Sequence, residues 1–234
     1  MISIVIPAYN EEKRLSISLN KILEFINANR DNYEIIVVDD GSNDRTASLP
    51  AEIDIFIKVI KMEKNSGKGA SVRRGMLAAQ GDYILFTDAD LSTPIYELNK
   101  LLPQLKNGYD IAIGSRALDY SKIKVHQPFY REFMGRTFNK IVQYLVIKGI
   151  KDTQCGFKLF KKDAAKTIFQ LALIDGFGFD VELLFLANKM GYKIKEVPVD
   201  WFNNDQSKVN PIKDSLQMLL EISRIKKLHK DLKK

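Results

Sequence analysis

Four times in its first half this chain runs through a short apolar segment and stops on a polar cluster. "ISIVIPAYN" ends in "PAYNEE", "YEIIVVDDGSND" in "DDGSND", "DYILFTDAD" in "TDAD" and "YDIAIGSR" in "GSR". Helical patterns lie between them. Leu15, Leu19, Ile22, Leu23 and Ile26 recur at spacings that line one face of a helix. "DIFIKVIKM" reads as a shorter strand, "SGKGASVRRGMLAAQG" as a loop and helix closed by Gly81, and "PIYELNKLLPQLKNG" as another helix. Strands that alternate with helices predict a parallel sheet with crossover helices. The strands are apolar without alternation, as strands covered on both faces are. "YDIAIGSR" is expected to be the last of this series. Ligands of such sheets sit outside the carboxyl ends of the strands, so the four polar clusters mark one edge as the candidate site.

The chain of 234 residues is long enough for one α/β domain with a substantial core and a small appendage. We divide it into a main α/β domain at 1–205 and a basic amphipathic helix at 206–234. In that tail Ile212, Leu216, Leu219, Ile222, Ile225 and Leu228 follow helical spacing. The single cysteine, Cys155, rules out an intrachain disulfide and suits a reducing compartment. "MISIVIPAYNEE" lacks the basic and apolar regions of a signal peptide, and no apolar run nears the ~18–20 residues of a membrane span. The expectation is a protein on the cytoplasmic side with no transmembrane segment. Charge is lopsided: residues 1–117 carry net −2 and residues 118–234 net +9. A basic half fits a polyanionic surface, whether acidic lipid, nucleic acid or phosphorylated substrate; solvated lysines that only aid solubility are the plain alternative. The first strand is not followed by a Gly-x-Gly-x-x-Gly turn, and there is no Walker sequence, which disfavours dinucleotide dehydrogenases and P-loop nucleotidases.

"YILFTDADLSTP" poses the sharpest question, because a buried strand ends on Asp88 and Asp90, one residue apart. Like charges this close repel. Either they point into water and cap a turn or helix, or they share a cation.

Together, "VIPAYNEE", "VVDDGSNDRT", "GKGASVRRGM", "FTDADLSTP" and "GSRA" resemble the successive motifs of glycosyltransferase family 2. "DTQCGFKLF", "GFGFDVELLFLA" and "EVPVDWF" are similar to polyprenyl-phosphate sugar transferases, most of all the dolichyl-phosphate β-glucosyltransferases. The resemblance spans residues 2–226; Asp-x-Asp alone is nonspecific, whereas the ordered set is highly specific. It implies the A-type glycosyltransferase fold, a Rossmann-like, mostly parallel sheet flanked by helices. It implies an inverting hexosyltransferase, with UDP-glucose as the expected donor and a polyprenyl or dolichyl phosphate as acceptor. Asp88 and Asp90 would hold Mg²⁺ or Mn²⁺ on the donor diphosphate, and hard cations of this kind do take carboxylate and phosphate oxygens. Ser92 stands where mannosyl-transferring relatives can offer a longer polar side chain.

The same resemblance puts Pro7, Ala8, Tyr9, Glu11, Asp39, Asp40 and Ala89 at the nucleoside and its phosphates. Packing for Tyr9 and helix capping for Asn10 are the plain alternatives. Gly67 and Gly69 let backbone approach a ligand, and Lys68 supplies a positive charge there. Arg116, Arg131 and Lys208 are candidate cations for phosphate, with Lys208 shared with the donor side. Gln154, Asp180 and Glu182 fall in the region that lines the sugar pocket in the family. For the two acids, a buried pair bracing a helix start is the alternative. Cys155 reads as a small core residue and not as a nucleophile. A phosphate acceptor is already anionic at neutral pH and needs no general base. Segment 126–149 mixes aromatic and basic residues and is expected to meet the membrane surface. For the tail helix, membrane, core and a dimer surface stay open. The expected partners are therefore a sugar nucleotide, a lipid phosphate and the membrane, and not nucleic acid. Within the family, a polysaccharide or glycolipid hydroxyl is the alternative acceptor. Outside it stand a sugar nucleotidyltransferase and a non-enzymatic basic binding module.

Overall fold

The structure is a computed structural model. Its described residues are 1–29, 32–119, 123–125, 137, 140, 142–143, 146–147, 149–203 and 213–232, with side chains from 217 onward in the last stretch. Arg131, Lys208 and most of segment 126–149 lie outside them, as does Ile212.

Strand β1 (Ile2–Ala8) is buried along its whole length. It pairs in parallel with β2 (Tyr33–Asp39) on one side and β4 (Tyr83–Thr87) on the other. Consecutive side chains of a strand point to opposite faces, and both faces here are covered. Ile4 and Ile6 join Leu15, Leu19 and Ile22 of helix α1 (Glu12–Asn29) and Leu98 and Leu101 of α4 (Leu98–Lys106) in one core layer. Val5 joins Val72 and Met76 of α3 (Lys68–Ala78) in the other. Gly75 lets α3 lie directly on the sheet, because a Cβ there would come 2.4 Å from Val5.

The sheet has seven strands in the order β3-β2-β1-β4-β7-β5-β8, with β3 at Lys58–Lys61, β5 at Ile111–Ser115, β7 at Phe157–Lys161 and β8 at Ile194–Pro198. It is mostly parallel, as expected. β5 is not the last strand, however: β7 follows it in sequence and inserts between β4 and β5, antiparallel to both. The third strand is shorter than its apolar run, since Ile55 and Phe56 sit exposed in the turn after helix α2 (Leu49–Ile53). A small sheet pairs β6 (Ile123–Val125) with β9 (Trp201–Phe202).

From β1 the chain moves outward to β2 and β3, then returns to place β4 on the opposite side of β1. The strand order reverses there, and a crevice opens at the carboxyl ends of β1 and β4. Tyr9 and Asp88, the residues just past those ends, flank it.

Helices α5 (Lys162–Leu171) and α6 (Phe179–Lys189) cover the second half. The tail helix α7 (Lys213–Leu228) packs on α6, and its Met218, Ile222 and Ile225 enter the core. Leu220 and Leu228 remain exposed. Because Ile225 is fully buried, Ile225→Ala should cost about 2–5 kcal/mol. At roughly 2–4 °C per kcal/mol for a chain this long, calorimetry should show a clear drop in Tm. An unchanged Tm would detach α7 from the folded unit.

Candidate active site

The first wall of the crevice comes from the turns after β1 and β2. Asn10 takes a positive φ of 53°, which turns its backbone N–H onto Ser42 Oγ at 2.8 Å. Asn43 N–H donates to Asn10 Oδ1 at 2.8 Å, and Glu11 N–H donates to Thr46 Oγ1 at 2.7 Å. The "PAYNEE" and "DDGSND" turns are thus laced into one surface, with Tyr9 exposed on it. Asp39 lies fully buried at the end of β2. Its Oδ1 accepts from Ser42 N–H at 3.2 Å, while its buried Oδ2 has no hydrogen-bond partner among the described residues. A buried acceptor without a donor is costly, so this oxygen fits a ligand N–H. Asp40 serves the protein itself: its two oxygens accept from Ser66 N–H at 2.8 Å and Gly67 N–H at 2.9 Å, fixing the loop before α3. Burial raises the pKa of its carboxyl, against those bonds.

That loop sets Lys68 at the start of α3. Gly67 has φ 103°, and a Cβ on it would come 2.4 Å from Asp175 O. Gly69 and Ala70 N–H also meet that carbonyl, at 2.7 and 3.3 Å. The loop around Asp175 therefore caps α3, which leaves the Lys68 side chain as this turn's charged group toward the crevice. Its Nζ lies 2.6 Å from Asp88 Oδ1.

The "TDAD" turn leaves β4 with Asp88 N–H bonded to Gly156 O at 3.2 Å. Gly156 leaves room for the Asp88 carboxylate, since a Cβ there would fall 2.0 Å from Asp88 Oδ2 and push it aside. Asp90 Oδ1 accepts from Ser92 N–H at 3.0 Å, so it closes its own turn and caps no helix. Burial and the neighbouring Asp88 raise the Asp90 pKa. The two carboxylates therefore share one small volume, and their oxygens suit a hard divalent ion. Among the described residues no three His, Cys, Asp or Glu side chains cluster as a metal site, so a cation here would also need ligand oxygens or water. Arg14 clamps Glu11 with two nitrogens, and its Nη1 lies 3.6 Å from Asp90 Oδ2.

The opposite wall is built from ion pairs. Arg116 donates Nε and Nη2 to Asp152 at 2.7 and 2.9 Å, its backbone N–H also bonds Asp152 at 2.9 Å, and its guanidinium lies 5.5 Å from the Trp201 ring centre. Lys158, fully buried in β7, donates to Asp180 and to Cys155 O. Burial pushes the Cys155 thiol up to about 11, which makes it unreactive. Gln154 contacts Met218 of α7.

The sequence-based candidates do not share one environment. Pro7, Ala8, Tyr9, Glu11, Asp39, Lys68, Asp88, Ala89 and Asp90 belong to the turns that converge on the crevice between β1 and β4. Glu182 is turned inward. It is fully buried and accepts from Leu173 and Ile174 N–H and meets His229 Nε2 at 2.7 Å. Arg14, Gly156 and Lys158 were missed. Arg14 stands three residues after Glu11, the spacing of a helical ion pair, and Lys158 is a lone charge in an apolar strand.

A mostly parallel sheet whose strand order reverses beside β1, with Asp-x-Asp at the carboxyl end of β4, is the design of an A-type sugar-transferring enzyme. The model of "Glycosyl transferase family 2" matches residues 3–169, and the chain belongs to that family. It is 40% identical over 240 residues to the dolichyl-phosphate β-glucosyltransferase of Dictyostelium discoideum, covering 96% of this chain and 73% of that protein. To the Homo sapiens protein of the same name it is 36% identical over 233 residues, covering 93% and 72%. Among solved structures, mannosyl-3-phosphoglycerate synthase from Rubrobacter xylanophilus superposes with a TM-score of 0.75 at 17% identity, covering 100% of this chain and 76% of that one. Glucosyl-3-phosphoglycerate synthase from Mycobacterium tuberculosis, in complex with Mn²⁺, UDP and glucosyl-3-phosphoglycerate, superposes at 0.65 and 20% identity, covering 96% and 76%. These two establish the fold.

Proposed function

We propose that this glycosyltransferase moves glucose from UDP-glucose onto the phosphate of a polyprenyl or dolichyl phosphate, with inversion at the anomeric carbon. The observation that carries the reading is the shared edge. There the paired carboxylates Asp88 and Asp90 past β4, and the buried Asp39 Oδ2 at the end of β2, which has no partner among the described residues, flank the carboxyl end of β1. Asp39 is suited to the imide N–H of a pyrimidine, Tyr9 to the face of the base, and Lys68 to the diphosphate. Asp88 and Asp90 would hold Mg²⁺ or Mn²⁺, which supplies charge neutralisation for the departing diphosphate. Gln154 and Asp180 are assigned to the sugar side, and Arg116, Arg131 and Lys208 to phosphate. The relatives' names support the sugar and the acceptor.

The membrane reading draws on the +9 charge of residues 118–234 and on exposed Leu173, Phe177, Leu220 and Leu228. No helix among the described residues is long and apolar enough to cross a membrane. We place the chain peripherally on the cytoplasmic face.

The test is a donor screen with a short polyprenyl phosphate, with Mn²⁺ or with excess chelator. UDP-glucose with metal should yield UDP and a β-linked glucosyl lipid phosphate; chelator should stop it. Transfer to a hydroxyl acceptor alone would favour the polysaccharide alternative. Release of pyrophosphate would make the chain a nucleotidyltransferase.

A further inference from the structure

Both carboxylates of the Asp-x-Asp pair already face a cation from the chain itself. Lys68 Nζ lies 2.6 Å from Asp88 Oδ1, and Arg14 Nη1 lies 3.6 Å from Asp90 Oδ2. The two cations differ in how they are held. Arg14 is clamped by both oxygens of Glu11 and reaches Asp90 only at the longer distance. Lys68 has one carboxylate in contact among the described residues, Asp88, on a flexible four-carbon stem whose side chain is a quarter exposed. The backbone beneath it is fixed, because Asp40 grips Ser66 and Gly67 N–H. The ammonium can therefore move while its helix start stays in place. Asp180, the next carboxylate, is already paired with the buried Lys158.

We propose that Lys68 is a resident counter-ion of the metal site. It occupies Asp88 in the free protein and hands that carboxylate over only when a metal–nucleoside diphosphate complex arrives, its ammonium then passing to the diphosphate. A free divalent ion would have to strip the ammonium from one of two carboxylates and leave it facing no open anion. With the diphosphate present, the displaced ammonium gains a new anionic partner. Metal and nucleotide are thereby coupled through one side chain, and the coupling is reciprocal. A chain built this way does not collect divalent ions until a donor is there to use them. The inference rests on the proposed role of Asp88 and Asp90 as metal carriers.

The test is a Mn²⁺ titration of the full chain, with and without saturating UDP, following loss of the free-ion electron paramagnetic resonance signal. The wild type should bind Mn²⁺ at least roughly tenfold more tightly with UDP. Lys68→Met should tighten Mn²⁺ binding without UDP, again about tenfold, and shrink the coupling. Lys68→Arg keeps the charge and should keep free Mn²⁺ weak. Unchanged metal affinity in a folded Lys68→Met would overturn the counter-ion role while leaving the metal site standing. If that variant does not fold, the wild-type pair still decides: equal Mn²⁺ affinity with and without UDP overturns the proposal. Absence of Mn²⁺ binding even with UDP overturns both the proposal and the metal reading beneath it.

Discussion

Asp90→Ala should abolish sugar transfer and leave the fold standing. Among the described residues the Asp90 carboxylate meets Ser92 N–H at 3.0 Å and Arg14 at 3.6 Å. Burial and the adjacent Asp88 raise its pKa in the folded chain. A carboxyl whose folded pKa is raised adds stability that is full at low pH and is lost as pH rises through the folded value. The charged form of Asp90, buried beside Asp88, is thus a burden on the metal-free protein. Its removal should change Tm by only a few degrees, and Asp90→Asn, which keeps an acceptor for Ser92, should change it less. Activity behaves differently. A divalent ion at a leaving diphosphate supplies several kcal/mol, and each ~1.4 kcal/mol is tenfold in rate, so kcat should fall by at least about a thousandfold. Released UDP is the measure. Full turnover by Asp90→Ala would remove the carboxylate from the chemistry.

The strand-end clusters that made Asp88 and Asp90 visible were legible because they depend on local sequence. An unbroken apolar run such as "ISIVI" must be buried on both faces, and the polar residues after it must lie at the sheet edge. The insertion of β7 was less legible. "FKLFK" is a short apolar run like the others, and nothing local says that it runs antiparallel between two earlier strands. The largest loss of legibility concerns carboxylates. Asp39, Asp40, Asp152 and Glu182 look alike as acids beside apolar residues. Of these four, only Asp39 keeps a buried oxygen without a partner among the described residues, whereas Asp40 and Glu182 are consumed by backbone N–H groups. Those partners come from loops up to 27 residues away, a distance no periodicity encodes.

Asp152 shows what such a hidden partnership is worth, and Asp152→Ala should be strongly destabilising. Its carboxylate is almost fully buried and receives Nε, Nη2 and the backbone N–H of Arg116 and the backbone N–H of Gln154. Burial works against its charge, yet Arg116 outweighs burial and holds its carboxyl below the usual range. Breaking such a pair from one side typically costs about 3–5 kcal/mol, because the other charge stays behind without its partner. At roughly 2–4 °C per kcal/mol, Tm should drop by about 6–20 °C. Arg116→Ala strands the carboxylate instead, so the double variant should cost less than the two singles added. The pH dependence has a definite sign. A depressed folded pKa gives stability that is present above the unfolded value of about 4 and is lost as pH falls through the folded one. The wild type should therefore lose this part only in acid, and Asp152→Asn should show a flatter stability profile there. Function is expected to follow the same geometry. With Asp152 holding two of its nitrogens, Arg116 can offer an acceptor phosphate only its remaining edge, in an orientation that Asp152 and Trp201 set. A mildly destabilised Asp152→Asn assayed well below its Tm should then raise KM for the lipid phosphate more than KM for the sugar nucleotide. Equal changes in the two constants would make the pair purely structural and take Arg116 out of acceptor binding.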